Sequence, residues 1–561
     1  MTHALLGRAL LGRALLAAAM IVATALGTTL VAPPADAAAP TAPPVSWSDC
    51  ADGFQCATVP APLDYDQPRG AQIGLSLIRL PASDPQRRIG SVLFNPGGPG
   101  GSGVDFVRYI ATSLPAELRA RFDLVGFDPR GINLSTPLRC FDTYEQAIAV
   151  LPAQAYPETP AEERAQRTSD EKLAAACARH GGAIRDHMSS ADAARDLDLL
   201  RAALGDRKLT YVGYSYGSLL GQNYANLFPS RVRALVIDGV VDPIAWATGR
   251  GGEAAQVPVG TRIGSADGAR STLGEFFRLC DAAGAGCAFS GGAAQRFAAL
   301  SQQLRGHPAT VVDPFSGETI TLTYNDLIAT TLGALYTAAV WPDLAFLLAD
   351  LQRQLSPAAL GRRLAALRAG LGLRAELGLS GTAQEDYPNA VEGSPGVGCS
   401  DTLNPRSFAA WQRAADTAER RYGYFGRVWN WVWSTCRAWP ASAGQDRHLG
   451  PWTARTSAPV LVVGNYFDPA TRYQGAVTAS RLLPNSRLLS YAGWGHAASF
   501  IAGNHCVDSR VTQYLVTGQV PPAGTVCQPE GSPFTPAPPA ARAALAAVAV
   551  PPAVRQALHA R

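Results

Sequence analysis

Short runs of apolar and β-branched residues recur in two parts of the chain, and segments with helical spacing follow them. Uninterrupted apolar runs of about four to eight residues are typical of buried strands, and apolar spacings of three and four are typical of amphipathic helices. Because the two alternate, the pattern predicts an α/β fold, a mostly parallel sheet with helices on both faces. The predicted strands are 73–80, 91–94, 122–127, 209–212, 232–237, 459–464 and 486–491, and the predicted helices of these parts are 191–204, 218–228 and 470–483.

Between about Trp246 and Pro451 the alternation of strands and helices stops. Helical spacing dominates there, and a tryptophan-rich run follows it. We interpret this stretch as an insertion lying over the sheet. The predicted helices are 273–280, 293–304, 324–351 and 405–422, and the tryptophans are Trp429, Trp431, Trp433 and Trp439. The predicted domains are therefore an α/β core at 47–245, a helical cap at 246–450 and the rest of the core at 451–529.

The two ends of the chain differ in composition from the rest. Arg8 and Arg13 precede an apolar run over 14–30, and Ala35 and Ala37 are small residues at the positions a signal peptidase reads. A membrane anchor is the alternative, but the run is shorter than the ~20 residues that a spanning helix needs. We expect a signal peptide at 1–37, cleavage after Ala37, secretion, a Pro/Ala linker at 38–46 and a poorly packed Pro/Ala-rich tail at 530–561.

The composition is that of an ordinary globular protein. Of the 561 residues 16% are charged, and the formal net charge is only +4. So small an excess gives no case for nucleic acid or an anionic membrane as a partner.

Ten cysteines lie in the predicted mature chain, an even number that favours disulfides in an exported protein. The competing interpretation is a metal site, but no Cys-x2-Cys or His-x3-His spacing is present. Pairing of sequence neighbours is our expectation, although the sequence leaves the connectivity open. The pairs would be Cys50 with Cys56, Cys140 with Cys177, Cys280 with Cys287, Cys399 with Cys436, and Cys506 with Cys527. We expect no metal and no cofactor.

The pentapeptide Gly213-Tyr214-Ser215-Tyr216-Gly217 lies between a predicted strand and a predicted helix. A serine in such a strand–turn–helix context is typical of a nucleophile elbow, whose sharp turn tolerates only small flanking residues. The bare pattern is weak, because a Gly/Ser turn without chemical importance has the same sequence. Its context makes Ser215 the candidate nucleophile.

A serine nucleophile needs a histidine as base and a carboxylate that orients the histidine. In folds with a nucleophile elbow the carboxylate follows the serine along the chain, and the histidine follows the carboxylate. His496 directly follows the last predicted strand and is the candidate base, with His505 as the alternative. Asp468 follows the preceding strand end and is the candidate acid. Asp238 and Asp242, at an earlier strand end, are its alternatives. His307 and His448 lie in the insertion and His559 in the tail, so they are not favoured.

Backbone N–H groups must also stabilise the developing oxyanion. One is expected from Tyr216, directly after the nucleophile. The other is expected from the glycine-rich loop after the strand at 91–94, where we choose Gly98 first and Gly97 second. A phosphate-binding loop is the alternative, but no Gly-Lys-Ser/Thr follows.

These motifs together resemble a known family. Asn95-Pro96-Gly97-Gly98-Pro99-Gly100, with the elbow, Asp128-Pro129-Arg130-Gly131, Asp468-Pro469-Ala470-Thr471 and Gly495-His496, is similar to the prolyl aminopeptidase branch of the α/β-hydrolases, and closest to secreted actinobacterial tripeptidyl aminopeptidases. The resemblance spans about 47–527. It implies an α/β-hydrolase fold with a helical cap, a Ser215–Asp468–His496 triad and Thr471 as a support for Asp468. Asn95 stands where prolyl aminopeptidases carry histidine, which argues against simple proline specificity.

An aminopeptidase also needs a carboxylate for the substrate's α-ammonium group. The insertion offers Glu385, Asp386, Glu392 and Asp401. The related enzymes carry a Cys-x-Asp element in this region, so we choose Asp401, with Glu392 second. Solvated loop acids are the competing interpretation for the rest.

Three functions remain open at this stage. A serine exopeptidase that releases short peptides, with tripeptides expected, from free N-termini of peptides or proteins is favoured. A carboxylesterase or lipase on the same fold uses the same triad and oxyanion hole, and the sequence does not separate it. A non-catalytic binding protein is disfavoured because the Ser, Asp and His set is intact. The number of residues released and the oligomeric state stay open.

Overall fold

A ten-stranded sheet forms the centre of the computed structural model, which describes residues 44–370 and 387–535. The strands are β1 (Ser48–Asp49), β2 (Gln55–Pro62), β3 (Gln72–Leu80), β4 (Gly90–Asn95), β5 (Phe122–Phe127), β6 (Leu209–Tyr214), β7 (Val232–Asp238), β8 (Ala309–Val312), β9 (Thr319–Leu322), β10 (Val460–Phe467), β11 (Ser486–Trp494) and β12 (Val526–Cys527). The order is β1-β2-β3-β5-β4-β6-β7-β10-β11-β12; pairs among β1, β2, β3 and β5 are antiparallel, and the others are parallel. This confirms the predicted fold class.

Helices cover both faces of the sheet. All six residues of β5 and all six of β6 are buried, which explains why these strands are mostly apolar and do not alternate with polar residues. The helices are α1 (Gly103–Ile110), α2 (Ala116–Arg121), α3 (Tyr144–Ala149), α4 (Pro160–His180), α5 (Ser190–Ala203), α6 (Tyr216–Leu227), α7 (Pro243–Ala247), α8 (Val259–Arg262), α9 (Ser265–Ala283), α10 (Ala293–Gly306), α11 (Tyr324–Leu335), α12 (Trp341–Gln352), α13 (Pro357–Gly370), α14 (Ala390–Asp401), α15 (Phe408–Tyr422), α16 (Gly426–Trp431), α17 (Tyr473–Leu482) and α18 (His505–Thr517).

Most of the chain between β7 and β10 forms one segment, 243–452, which we call the inserted segment. It is mainly helical in the residues that are described. It also contains a two-stranded antiparallel sheet, β8 with β9, that we did not predict. These strands have only four residues each, and although β9 alternates exposed and buried positions, it is no longer than the shortest run that indicates a strand. The domain boundaries themselves stay predictions.

The helix predicted over 324–351 is two helices, α11 and α12. The break precedes Pro342, which lies in the first turn of α12 and would disrupt a continuous helix, because it has no N–H and its ring clashes with the preceding turn. In the break, the carbonyl of Tyr336 accepts the N–H of His496 at 2.8 Å. The interruption therefore brings the inserted segment onto the candidate base.

Five disulfides join the ten cysteines as neighbours in sequence: Cys50–Cys56, Cys140–Cys177, Cys280–Cys287, Cys399–Cys436 and Cys506–Cys527. Within 44–370 and 387–535, no helix is both long and apolar enough to cross a membrane. The predicted signal peptide, most of the predicted linker and tail, Glu385, Asp386 and His559 lie outside the described residues.

Candidate active site

Ser215 lies in the turn between β6 and α6, at the carboxyl edge of the sheet. Its φ of +55° and ψ of −123° are unusual for a residue with a side chain. Its N–H donates to the carbonyl of Asp238 at the end of β7, at 2.9 Å, and only 8% of the residue is exposed. A strained serine between strand and helix is the geometry of a nucleophile elbow.

The two glycines that flank the turn are required by close approach. A Cβ on Gly213 would lie 2.3 Å from the carbonyl oxygen of Gly217, and a Cβ on Gly217 would lie 2.7 Å from that of Asn95. Backbone atoms cannot move aside as a flexible side chain could, so any side chain at either position would distort the turn.

His496 and Asp468 form a buried pair at the ends of β11 and β10. Nδ1 of His496 is 2.9 Å from each oxygen of Asp468, and the two residues are 2% and 1% exposed. This contact places the ring proton on Nδ1 and leaves Nε2 as the basic nitrogen. Within the described residues Nε2 has no hydrogen-bond partner. A buried imidazole with one nitrogen on a carboxylate and the other unengaged is suited to general base chemistry.

Asp468 is surrounded by donors. Its Oδ1 accepts the N–H groups of Ala470 and Thr471, each at 2.8 Å, and its Oδ2 accepts the hydroxyl of Thr471 at 3.0 Å. That hydroxyl also lies 3.3 Å from Nδ1 of His496. Thr471 thus contacts both members of the pair, and its role as a support for Asp468 stays a prediction.

Asp238, the first alternative acid, lies close by but binds something else. Its Oδ2 accepts the N–H groups of Ala498 and Ser499 at 3.0 and 2.6 Å, in the loop that follows His496. Burial raises the pKa of this carboxyl. Asn465 holds the same loop by donating to the carbonyls of Gly495 and Ala497. Neither residue had a motif in the sequence that indicated this contact.

Among the described residues, neither Asp242 nor His505 forms a hydrogen bond or ion pair with the His496–Asp468 pair. Asp242 caps α7 by accepting the N–H groups of Ile244 and Ala245, and it pairs with Arg250. His505 is exposed at the start of α18. Of the acids that the sequence offered, the structure therefore brings only Asp468 onto the ring of His496.

The glycine-rich loop after β4 packs against the elbow. A Cβ on Gly97 would lie 2.8 Å from the amide nitrogen of Tyr216. The N–H of Gly97 donates to Oδ1 of Asn95 at 3.0 Å, whereas no acceptor is found for the N–H of Gly98 or of Tyr216 in the described part of the chain. The geometry thus favours Gly98 over Gly97 as the partner of Tyr216, and Asn95 shapes the loop.

Comparison with known proteins decides the family. A family model described as "alpha/beta hydrolase fold" matches residues 90–270, and one described as "TAP-like protein" matches residues 422–527. "Serine protease Hip1" of Mycobacterium tuberculosis is 32% identical, over 86% of this chain and 91% of that protein. "Tripeptidyl aminopeptidase" of Streptomyces lividans is 30% identical, over 87% of each chain. The chain belongs to the TAP-like α/β-hydrolase family. "Carboxylesterase B" of Mycobacterium tuberculosis is also similar, at 33% identity over 87% of this chain and 91% of that protein. The family resemblance of the motifs is thereby confirmed, and the chain is a serine hydrolase of the aminopeptidase-like type.

In this TAP-like hydrolase Asp401 is engaged by the elbow itself. Its Oδ1 accepts the N–H of Ser190 at 2.9 Å, and its Oδ2 accepts the hydroxyl of Tyr216. The residue is 4% exposed, and burial raises the pKa of its carboxyl to about 6. A substrate ammonium would have to displace one of these donors to reach it, so the ammonium-binding role of Asp401 stays a prediction.

Glu392, the second candidate for the ammonium, points elsewhere. It precedes Asp401 by nine residues on α14, which at about 100° per residue places the two on opposite sides of the helix. Glu392 is fully buried and accepts the hydroxyl of Tyr387 at 2.6 Å, and burial raises the pKa of its carboxyl. The two acids therefore cannot face one common pocket.

The Asp128-Pro129-Arg130-Gly131 motif is a buried hydrogen-bonding centre beside the glycine-rich loop. Arg130 binds Asp196 with two nitrogens, at 2.7 and 2.6 Å, and is fully buried. Asp128 accepts the hydroxyl of Ser102, the residue that caps α1, and burial raises the pKa of Asp128 to about 7. The motif contributed to the family resemblance, but its structural role could not be predicted from the sequence, because its partners Asp196 and Ser102 are distant in the chain.

One group elsewhere has atoms of the type that metals bind. His187, Asp192 and Asp446 offer ligand atoms within 4.8 Å of one another. Each already has partners in the protein: His187 contacts Asp446 at 3.1 Å, and Arg195 donates to Asp192 at 3.0 Å. A guanidinium on one ligand disfavours a divalent cation, so we assign no metal to this group.

Proposed function

We propose that this chain is a secreted serine aminopeptidase that releases short peptides, with tripeptides expected, from free N-termini. Ser215 is the nucleophile, His496 the general base and Asp468 the residue that orients it. The observation that carries the proposal is the buried His496–Asp468 pair at the same sheet edge as the strained serine, with Nε2 unengaged among the described residues.

The chemistry follows from these positions. Oγ of Ser215 attacks the scissile carbonyl carbon while Nε2 of His496 takes the hydroxyl proton. The negative charge that develops on the carbonyl oxygen is stabilised by the N–H groups of Tyr216 and Gly98. The tetrahedral intermediate then collapses, the C–N bond breaks, and His496 gives the proton to the leaving amine. Water repeats the sequence on the acyl-enzyme and regenerates the serine.

Peptide substrates and secretion have separate support. Two similar proteins are named serine protease and tripeptidyl aminopeptidase, and the tripeptide product is an expectation from the second name. Five disulfides fit an oxidising compartment, and the predicted signal peptide would deliver the chain to one.

A carboxylesterase is the second candidate, favoured by the similarity to carboxylesterase B. Esters and amides pass through the same acyl-enzyme, so the catalytic residues do not separate the two activities.

One substrate panel tests both candidates. Tripeptide anilides with free and with acetylated N-termini are compared with short- and long-chain acyl esters, for the wild type and Ser215→Ala. We expect the free-amine anilides to be preferred, and Ser215→Ala to lower kcat by several orders of magnitude while its melting temperature is unchanged. Phenylmethylsulfonyl fluoride should label Ser215 in a peptide map.

Each failure has a distinct meaning. Equal turnover of acetylated anilides would remove the exopeptidase claim, and turnover of esters alone would establish the esterase. Substantial activity in folded Ser215→Ala, or an adduct on another residue, would show that the nucleophile is misassigned.

A further inference from the structure

The side chain of Tyr216 is fixed at both its ring and its hydroxyl. The residue is 6% exposed, and its ring packs edge-on against Trp246, with centroids 5.3 Å apart. Its hydroxyl donates to Oδ2 of Asp401. The backbone N–H of the same residue is the proposed oxyanion donor, so one residue is held by the inserted segment and faces the reacting atoms.

Asp401 is itself fixed from several directions. Its second oxygen accepts the N–H of Ser190, the first residue of α5, at 2.9 Å. It is the last residue of α14, two positions after Cys399, whose disulfide to Cys436 ties that helix to the tryptophan-rich run. A carboxylate held in this way is a firm acceptor, because neither of its oxygens is open to rotate toward water.

The backbone at Tyr216 needs such a fixed point. It directly follows Ser215, whose φ of +55° is strained, and it is the first residue of α6, so its N–H has no acceptor within the helix. A small rotation of the first helical turn would turn this N–H away from the oxyanion, and donors act through their preset direction.

We propose that Asp401 is a positioning residue for the oxyanion hole: by holding the hydroxyl of Tyr216, it fixes the direction of the Tyr216 N–H. The proposal rests on the proposed function, in which Ser215 forms an acyl-enzyme. It differs from the ammonium-binding role predicted for Asp401, because an oxyanion forms on every substrate whereas an ammonium is present on only some.

The experiment compares Tyr216→Phe, Asp401→Ala and the double variant on a free-amine anilide and on an acyl ester without an amine. The matched control is Tyr224→Phe, which removes a buried hydroxyl that donates to Asp198 at 3.1 Å from the same helix, two turns further on. Melting temperature is measured for every variant, and kcat and KM are determined separately.

We expect Tyr216→Phe and Asp401→Ala each to lower kcat about 10- to 100-fold on both substrates, with KM nearly unchanged. The double variant should be no slower than the slower single variant, because both changes break one contact. Asp401→Asn should retain most of the activity, since its amide can accept from Ser190 and donate to the Tyr216 oxygen. Tyr224→Phe should lower the melting temperature to a similar extent and leave kcat alone.

Several results would overturn the proposal. One is a wild-type kcat in Tyr216→Phe. This variant keeps every other contact of the ring, so its result is informative even if Asp401→Ala does not fold. Additive losses in the double variant would show that the two residues act separately. A loss confined to the free-amine anilide would instead establish ammonium binding. If only the aminopeptidase claim fails, the effect on ester hydrolysis persists, and if Ser215→Ala is active, both proposals fall.

Discussion

Replacing each of two buried aspartates by asparagine tests which carboxylate orients His496. Asp238 and Asp468 end the neighbouring strands β7 and β10, and the sequence alone left both open as the acid. Both oxygens of Asp468 lie 2.9 Å from Nδ1, whereas Oδ2 of Asp238 accepts two backbone N–H groups of the loop after His496. In Asp468→Asn an amide N–H would face Nδ1 and favour the wrong tautomer. We expect kcat to fall on the order of 10⁴-fold, as such replacements do in other triads.

Asp238→Asn should be mild. Its side-chain oxygen can still accept from Ala498 and Ser499, although the two hydrogen bonds lose their charge assistance, which weakens each by about 1 kcal/mol. Removing a buried charge whose pKa burial raises offsets part of this loss. We expect stability to change by no more than about 2 kcal/mol and kcat to fall less than about 10-fold. Asp238→Ala is the control that removes both acceptors. It should lower the free energy of unfolding by about 2 to 6 kcal/mol, because two buried N–H groups lose their acceptors.

The assay measures kcat and KM on a peptide anilide and an acyl ester, with chemical denaturation of each variant. If folded Asp238→Asn were as inactive as Ser215→Ala while Asp468→Asn kept most of its activity, Asp468 would not be the orienting carboxylate. That result would assign the orienting role to Asp238.

Three further changes have expected outcomes. Gly213→Ala places a Cβ 2.3 Å from a backbone oxygen, so we expect a lower melting temperature and loss of activity, and wild-type behaviour in both measurements would contradict the close approach. Replacing Cys399 and Cys436 together by serine opens a disulfide whose residues are 37 apart, and should cost about 4 kcal/mol in the free energy of unfolding, with no cost expected if the bond is absent in solution. Burial raises the pKa of Asp401 to about 6, above the unfolded value near 4, with the Tyr216 hydroxyl and Arg447 as the facing groups. The folded state therefore takes up the proton first, so the wild type should gain stability relative to Asp401→Asn as the pH falls from about 7 to 4, by up to about 3 kcal/mol. A difference that is constant with pH would show that Asp401 titrates alike in both states.

The sequence predicted best what local patterns encode. Strand β5 was predicted with its observed bounds, since its six residues are all buried and all of them except Asp123 are apolar or glycine. The elbow, Asp468 and His496 were chosen because each lies at a predicted strand end, and parallel strands bring those ends to one edge. The order of the residues along the chain favoured Asp468 and His496, but it left Asp238, Asp242 and His505 as alternatives.

Contacts between distant parts of the chain could not be predicted in the same way. The contacts of Asp238 and Asn465 were not predicted, because their partners are backbone N–H and carbonyl groups, which have no sequence signature. The Cys-x-Asp element did single out Asp401, but its hydroxyl partner lies 185 residues earlier in the chain. The break at Tyr336 was also missed, although Pro342 was a visible signal for it.

The inserted segment contacts His496 directly, and it contacts residues beside Ser215 and Asp468, in each case through a different element. Asp401 at the end of α14 holds Tyr216 beside the nucleophile, and the carbonyl of Tyr336 after α11 holds the N–H of His496. Ser265 at the start of α9 donates to the carbonyl of Ala470, whose own N–H binds Asp468. A cover that only limited access could be displaced without disturbing the triad. Here displacement would release the contact at His496 and one contact at a residue beside each of Ser215 and Asp468, so we expect local unfolding of the inserted segment to disturb the catalytic geometry.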